Sequence, residues 1–149
     1  NASTQTTISC EQCSAGTWSP WRYTPGFSSC EPCPDGRVCD RGTGNVSEGT
    51  PCPEGYICGE GTTPEQQTST GCYDGFFCDK STTPTSVWKS LCLEGFYCGE
   101  RTTYKNRYKF RCPIGFFCPA GTGYKKDLNK QLIAQSAYLL KMEFYLMQK

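Results

Sequence analysis

The chain has 149 residues, a formal net charge of +1 and 13 cysteines, and it contains no histidine. Without histidine it lacks the commonest general base and the Cys–His and Ser–His pairs of nucleophilic catalysis, so we expect no enzyme and no catalytic residue. No basic block longer than two or three residues appears, so we expect neither a polyanion-binding surface nor a nucleic-acid partner, and no run of eighteen apolar residues could span a membrane. Cysteine makes up about 9% of the chain, a level typical of disulfide scaffolds in which cross-links replace part of a hydrophobic core.

The first element is the triplet Asn1-Ala2-Ser3, a sequon for N-glycosylation, and Asn45-Val46-Ser47 is a second one. Asn45 lies in a segment rich in Gly, Ser and Glu, where a glycan would meet no packing. The chain starts without Met or a signal peptide, which indicates a processed or truncated product. Together with the cysteines, the sequons predict an extracellular or cell-surface protein with N-linked glycans at Asn1 and Asn45 and no other cofactor.

Cys-x-x-Gly tetrapeptides recur along the chain with steps of 20, 19, 20, 20 and 20 residues, which is the signature of a repeat architecture. They predict the end of a preceding repeat at 1–12, repeat 1 at 13–32, repeat 2 at 33–51, repeat 3 at 52–71, repeat 4 at 72–91, repeat 5 at 92–111, a partial repeat 6 at 112–125 and a cysteine-free tail at 126–149. The Gly of each tetrapeptide is expected to take a positive φ and turn the chain tightly. Up to Gly123 we expect short turns and two-residue strand pairs with almost no helix.

Each repeat holds two cysteines, so the simplest pairing closes one disulfide inside each repeat. The predicted bonds are Cys13–Cys30, Cys33–Cys39, Cys52–Cys58, Cys72–Cys78, Cys92–Cys98 and Cys112–Cys118. A second scheme links neighbouring repeats, beginning with Cys39 to Cys52, and chain-entropy estimates of about 3 against about 2 kcal/mol per bond do not decide between the two. Cys10 is left unpaired or bonded to a partner outside the chain.

Aromatic residues lie between the Gly and the second cysteine in the later repeats. Because they recur with the repeat, they can stack along one side of an array in which each repeat contacts mainly its neighbours, and there they supply the only core available. The alternative is an exposed ladder that binds a glycan or another filament strand. The candidate assembly residues are Phe76, Phe77, Phe96, Tyr97, Phe116 and Phe117, with Leu140 and Phe144 of the tail.

Two metal hypotheses compete with the disulfide interpretation. The two Cys-x-x-Cys pairs, Cys10/Cys13 and Cys30/Cys33, have the spacing of a zinc ribbon, but zinc would need four thiolates in a reducing compartment. Acidic residues recur beside the Gly of four repeats, which predicts a solvated turn more readily than calcium, since calcium needs several oxygens converging in one loop. We therefore expect no metal. These acidic residues are Asp35, Glu54, Asp74 and Glu94.

The cysteine-free tail predicts a helix over 126–149, with Asp127 as its N-cap. Apolar residues follow helical spacing from Ile133 to Met147 and form one seam, which would need a partner because a lone helix of this length is marginal. The seam either folds back on the last repeat or docks on another subunit. The abrupt change in composition also leaves open that this stretch is not native sequence.

Residues 10–39 (C-E-Q-C-S-A-G-T-W-S-P…S-S-C-E-P-C-P-D-G) resemble the cysteine-rich repeat of ephrin-type receptors, a growth-factor-receptor-like cysteine-rich array. The units with the pattern C-P-x-G-[FY]-[FY]-C at 52–118 look like the variant found in large surface proteins of protists, including subunits of flagellar hairs (mastigonemes). The resemblance implies an elongated extracellular spacer, adhesion or filament-building role and carries no catalytic residues. Fold alone does not decide function.

The expected fold class is a small disulfide-rich protein, mostly irregular with short β-strands, arranged as an elongated tandem-repeat rod with a C-terminal α-helix. The expected function is that of an extracellular structural module in a surface filament, appendage or glycosylated spacer. The alternative is the ectodomain stalk of a receptor or adhesin. The expected partners are other protein subunits, including further copies of the chain, with a membrane reached only through parts outside this sequence.

Overall fold

The computed structural model describes residues 11–20, 30–129 and 146–147. These residues form a small disulfide-rich fold with short strands and few helical segments, as the cysteine content predicts. The strands, each two residues long, are β1 (Thr17–Trp18), β2 (Glu31–Pro32), β3 (Arg37–Val38) and β4 (Thr50–Pro51). The helical segments are two 3₁₀ turns, Val46–Glu48 and Ser86–Lys89, and one π-helical turn, Tyr124–Leu128.

Antiparallel pairing closes each of the first five repeats on itself. In repeat 1, β1 pairs with β2 so that Thr17 lies opposite Pro32, and in repeat 2, β3 pairs with β4 so that Arg37 lies opposite Pro51. Isolated bridges hold the same place in the next three repeats. They join Tyr56 to Gly71, Phe76 to Leu91 and Phe96 to Arg111. The residue after the Gly therefore always meets the residue just before the next repeat.

Six disulfides lie within the described residues, and each one closes inside a single repeat. They are Cys13–Cys30, Cys33–Cys39, Cys52–Cys58, Cys72–Cys78, Cys92–Cys98 and Cys112–Cys118. These are the bonds of the first predicted scheme, and the bonds that would link neighbouring repeats are not formed between these cysteines. Cys10 lies outside the described residues.

Four backbone hydrogen bonds join repeat 4 to repeat 5. Gly75 N–H donates to the Cys98 carbonyl, and the Gly75 carbonyl accepts from Cys92 N–H, both at 2.9 Å. Cys78 N–H donates to the Thr102 carbonyl, and Arg101 N–H donates to the Cys72 carbonyl, again at 2.9 Å. Equivalent bonds recur at each of the five boundaries from repeat 1 to repeat 6, with Ser19 in place of a second cysteine in repeat 1. Each such bond contributes about 1 kcal/mol net, so the four bonds of one boundary contribute about 4 kcal/mol together.

Repeats also approach their second neighbours, which the sequence did not predict. The Gly of each Cys-x-x-Gly has a positive φ, as expected. A Cβ on Gly36 of repeat 2 would lie 2.6 Å from the Ser81 carbonyl oxygen in repeat 4, and a Cβ on Gly75 would lie 2.5 Å from that of Gly121 in repeat 6. Gly is therefore required here for two reasons, the backbone conformation and the passing main chain.

In repeats 2 to 6 a threonine closes the turn after the second cysteine, and this threonine is buried in repeats 3 to 6. The Thr82 hydroxyl donates to the carbonyl of Asp79 (2.7 Å), three residues earlier. Thr43, Thr62, Thr102 and Thr122 make the same bond in their repeats. Burial of these hydroxyls is tolerated because each one keeps an acceptor.

The buried core consists of small clusters around the disulfides. One cluster joins Ile57, Cys72, Phe76, Cys78 and Val87, which come from repeats 3 and 4. A second cluster joins Val38, Cys52 and Cys58, with Tyr56 packed against it. Apolar side chains thus bridge successive repeats where main-chain bonds already join them.

The described part of the tail begins differently from the prediction. The helical turn starts at Tyr124 with Gly123 as its N-cap, not with Asp127. Asp127 instead accepts a hydrogen bond from Gly123 N–H (2.8 Å) from inside the turn. Most of the predicted helix over 126–149 lies outside the described residues, as do Leu140 and Phe144.

Candidate interaction surface

The aromatic residue directly after the Gly packs within its own repeat. Phe76 is buried (8% exposed), and its ring meets Trp88 edge-on at 5.3 Å between centroids. Phe96 meets Tyr108 in the same way at 5.2 Å, one repeat later. Both ring pairs join positions that are 12 residues apart, so they stabilise single repeats. Phe76 also belongs to the buried cluster that includes Ile57 of repeat 3. Burial leaves Phe76 little surface for a contact with another subunit.

The next aromatic residue reaches the following repeat. Phe77 contacts Tyr104 with ring centroids 5.9 Å apart, and Tyr97 contacts Tyr124 at 5.8 Å. Tyr97 also stacks on Phe110 of its own repeat at 5.3 Å. Phe77 and Tyr97 therefore belong to the packing inside the chain. Phe116, which directly follows Gly115 in repeat 6, is half-buried.

Phe117 occupies the same place in repeat 6 and is 74% exposed. Ile114, three residues earlier, is fully exposed. A Cβ on Gly95 or Gly115 would meet nothing within 4 Å, in contrast to the equivalent glycines of repeats 1 to 4. Repeat 6 thus presents an apolar end face, defined here by Ile114, Gly115 and Phe117.

A cluster of rings around Arg107 forms the most prominent surface of repeat 5. The Arg107 guanidinium carbon lies 3.4 Å from the ring centroid of Tyr104 and 4.5 Å from that of Tyr108. Arg107 also donates a hydrogen bond to the Tyr104 carbonyl. Cations in such positions are attracted by the ring faces, so Arg107 holds the two tyrosines in place. Sequence reasoning missed this cluster, although the alternation of basic and aromatic residues from Tyr104 to Arg111 was visible.

An open cleft of about 510 Å³ lies where repeats 3, 4 and 5 meet. Two tyrosines, three hydroxyl side chains, two carboxylates and one guanidinium line it. The residues are Tyr56, Thr68, Ser69, Thr70, Tyr73, Asp74, Glu100 and Arg101, with Gly71 and Cys72. Such a lining offers hydrogen bonds and ring faces to a polar ligand.

Two of the recurring acidic residues contact the repeat two positions later. Glu54 pairs with Lys105 at 3.6 Å, and Asp74 accepts hydrogen bonds from main-chain N–H groups at 124–126. These contacts make the acidic position of repeats 3 and 4 part of the second-neighbour packing. Among the described residues, no group of three or more His, Cys, Asp or Glu side chains is arranged to hold a metal ion.

The second sequon lies on the surface. Asn45 is exposed, and its side-chain oxygen accepts a hydrogen bond from Ser47 N–H (3.0 Å) at the start of the first 3₁₀ turn. Within the described part of the chain the asparagine is left exposed, which gives room for a glycan. Asn1 lies outside the described residues.

No helix in the described part of the chain has the length and apolar character needed to cross a membrane. No protein-family model, no curated protein and no solved structure matches this chain.

Proposed function

We propose that the chain is an extracellular structural module: an elongated array of tandem repeats that serves as a segment or subunit of a surface filament or appendage, or as a glycosylated spacer. The observation that carries the proposal is the unbroken set of four backbone hydrogen bonds at every boundary from repeat 1 to repeat 6. A repeat bonded only to repeats one and two positions away extends the molecule in one direction, as in solenoids. Such an array transmits force and sets a distance.

The cross-links support an extracellular location. Disulfides persist in oxidising environments and are rare in the cytosol. Six of them close inside the repeats, and each stabilises a segment that has few apolar side chains of its own. The exposed sequon at Asn45 agrees with passage through a secretory route. The resemblance to cysteine-rich repeats of ephrin-type receptors and protist surface proteins points the same way.

The end face of repeat 6 is the strongest candidate for contacts between subunits. Phe117 is exposed where repeats 3 to 5 bury or half-bury the equivalent residue (Ile57, Phe77 and Tyr97). Ile114 is an exposed apolar residue at a place where repeats 2 to 5 carry Asp or Glu. An exposed apolar patch rimmed by polar residues is typical of protein–protein contact sites. The helix predicted over 126–149, with Leu140 and Phe144 on its predicted seam, remains the second predicted contact.

Small-angle X-ray scattering on the oxidised protein tests the elongated shape. A compact domain of this length has a radius of gyration of about 15 Å. We expect a clearly larger value and a pair-distance distribution with a long tail. A value near that of a compact domain would contradict the rod.

Sedimentation over a range of protein concentrations separates the filament from the alternative of a receptor or adhesin stalk. A filament subunit should assemble as concentration rises, and Phe117→Ser should weaken assembly without changing the disulfides. Phe77→Ser serves as the matched control, because Phe77 packs against Tyr104 inside the chain. A chain that stays monomeric at every concentration would favour the stalk.

A further inference from the structure

Positive charge is concentrated in one short segment of the chain. Residues 101–111 contain five basic residues and no acidic one, whereas residues 1–100 contain 12 acidic and 5 basic residues, a net charge of −7. Residues 112–149 contribute the remaining +3 of the total of +1. The five basic residues are Arg101, Lys105, Arg107, Lys109 and Arg111.

The main-chain contacts of this segment do not require its charge. The equivalent segments of repeats 3 and 4, residues 61–71 and 81–91, have no basic residue and one basic residue, respectively. All three segments share the bridge that closes the repeat and the bond from their first N–H to the preceding repeat. Because these main-chain contacts form without the cations, most of the cations are free to meet a ligand.

Ring faces are presented beside the cations. Tyr104, Tyr108 and Phe110 are 46%, 52% and 43% exposed. Arg107 fixes both tyrosines by lying over their rings, and Lys109 Nζ lies 5.3 Å from the Phe110 ring centroid. These rings are held in place before any ligand arrives, which lowers the entropy lost on binding.

The other cations face solvent. Arg101, Lys109 and Arg111 are exposed, and the Lys105 side chain is 79% exposed although its ammonium lies 3.6 Å from a carboxylate oxygen of Glu54. An exposed pair of this kind contributes little stability and exchanges readily for another anion. Four cations are thus available along one segment, interleaved with rings.

We propose that this surface of repeat 5, defined by residues 101–111, binds an anionic polysaccharide that carries sulfate or uronic acid groups. The cations meet the acidic groups, and the rings pack against the apolar faces of the sugars. Arg101 also lines the cleft between repeats 3, 4 and 5, where the Thr68, Ser69 and Thr70 side chains offer hydrogen bonds to sugar hydroxyls. The two carboxylates of that cleft are already engaged, Asp74 by main-chain N–H groups at 124–126 and Glu100 by Lys125. The disulfides favour a polysaccharide over a nucleic acid, because the oxidising compartments that preserve disulfides also hold such polysaccharides. The inference does not depend on filament assembly.

Calorimetric titration of the full oxidised chain with heparin and with dextran sulfate tests the proposal, with uncharged dextran as the blank. The triple variant Lys105→Gln, Lys109→Gln, Arg111→Gln should lower affinity by roughly tenfold or more and flatten its dependence on salt, since fewer counterions are released. The matched control is Arg41→Gln, Lys80→Gln, Lys89→Gln, which removes the same charge from exposed positions in repeats 2 and 4. The control should bind as the parent chain does.

Tyr108→Ala tests the contribution of an aromatic ring to binding separately from that of the charges. It should weaken binding severalfold while leaving the salt dependence unchanged, and circular dichroism with disulfide mapping checks that the variant is folded. Equal losses in the two triple variants would overturn the proposal, because net charge alone would then explain binding. Absence of binding to both sulfated polymers would overturn it as well. A third outcome is that the chain binds no polysaccharide but self-associates, and that only the repeat 5 triple variant abolishes this self-association. The basic surface would then bind the acidic repeats of a second copy of the chain instead.

Discussion

The carboxylate of Asp74 accepts a hydrogen bond from the main-chain N–H of Lys126, which lies 52 residues later in the chain (2.8 Å). The same carboxylate accepts from Tyr124 and Lys125 N–H at 2.9 and 3.2 Å. The first N–H groups of a helical turn have no partner within it, and a carboxylate from elsewhere in the fold satisfies them here. Repeat 4 therefore anchors the segment that follows repeat 6.

Loss of the Asp74 carboxylate should loosen this segment. Capping interactions contribute about 1 kcal/mol, so Asp74→Ala should speed amide exchange at residues 124–126 roughly fivefold. Glu94→Ala is the matched control, because Glu94 holds the same place one repeat later and is exposed. Hydrogen exchange followed by mass spectrometry measures both. Unchanged exchange at 124–126 in Asp74→Ala would show that the contact does not form.

Second-neighbour packing makes equivalent glycines unequal. In Gly36→Ala the alanine must adopt a positive φ, and its methyl group would also clash with the Ser81 carbonyl oxygen. In Gly95→Ala the alanine must only adopt the positive φ, which costs about 1–2 kcal/mol. Thermal unfolding of the oxidised variants should therefore show a clearly larger loss for Gly36→Ala. Equal losses would mean that repeats 2 and 4 do not touch.

Each buried threonine stabilises its turn through one hydroxyl. Thr82→Val keeps the shape of the side chain but removes the donor to the Asp79 carbonyl, so the free energy of unfolding should fall by about 1 kcal/mol. Thr68→Val changes an exposed threonine and should leave stability nearly unchanged. Chemical denaturation with the disulfides intact compares the two. A loss no larger than that of the exposed control would argue against the hydrogen bond.

Two repeats hold a left-handed backbone conformation without glycine. Ser81 and Arg101 have φ of 62°, at the place where Gly42, Gly61 and Gly121 have φ of 78–85°. A residue other than glycine pays about 1–2 kcal/mol to adopt this conformation. Replacing it with glycine removes that cost but makes the unfolded chain more flexible, which lowers stability by about 0.4–1 kcal/mol.

Ser81→Gly should therefore raise the free energy of unfolding by about 0.5–1 kcal/mol. The reverse change, Gly61→Ser, should lower it by a similar amount, because a Cβ there would meet only the Gly16 carbonyl oxygen, at an uncrowded 3.9 Å. Thermal and chemical unfolding of both variants measure the pair. Destabilisation by Ser81→Gly would mean that the serine side chain has a role beyond its backbone.

Much of the local structure was predictable from the spacing of a few residues. Two cysteines six positions apart with a glycine between them can close on each other through a tight turn, and the described disulfides have that form in repeats 2 to 6. The threonine after the second cysteine marks the next turn. Each of these features depends on residues within one repeat, so one repeat of sequence is enough to predict it.

The candidate surfaces were less predictable. The aromatic pattern indicated packing, but it did not show that Phe76 turns inward to Trp88 while Phe117 stays exposed. Nor did the sequence show that Arg107 would collect the rings of Tyr104 and Tyr108 into one surface. Side-chain direction depends on which neighbours are present, and within the described residues no further repeat lies against repeat 6.

The sequence by itself determined the period, the places of the cysteines and the turn residues, because these follow from short-range geometry within about seven to twenty residues. Only the tertiary structure decided that Gly36 lies against Ser81 and that Asp74 receives the main chain of Lys126, 45 and 52 residues away. Contacts across two repeats depend on the rise and twist from one repeat to the next. Those quantities arise from the hydrogen bonds between repeats, whose geometry no spacing within a single repeat specifies.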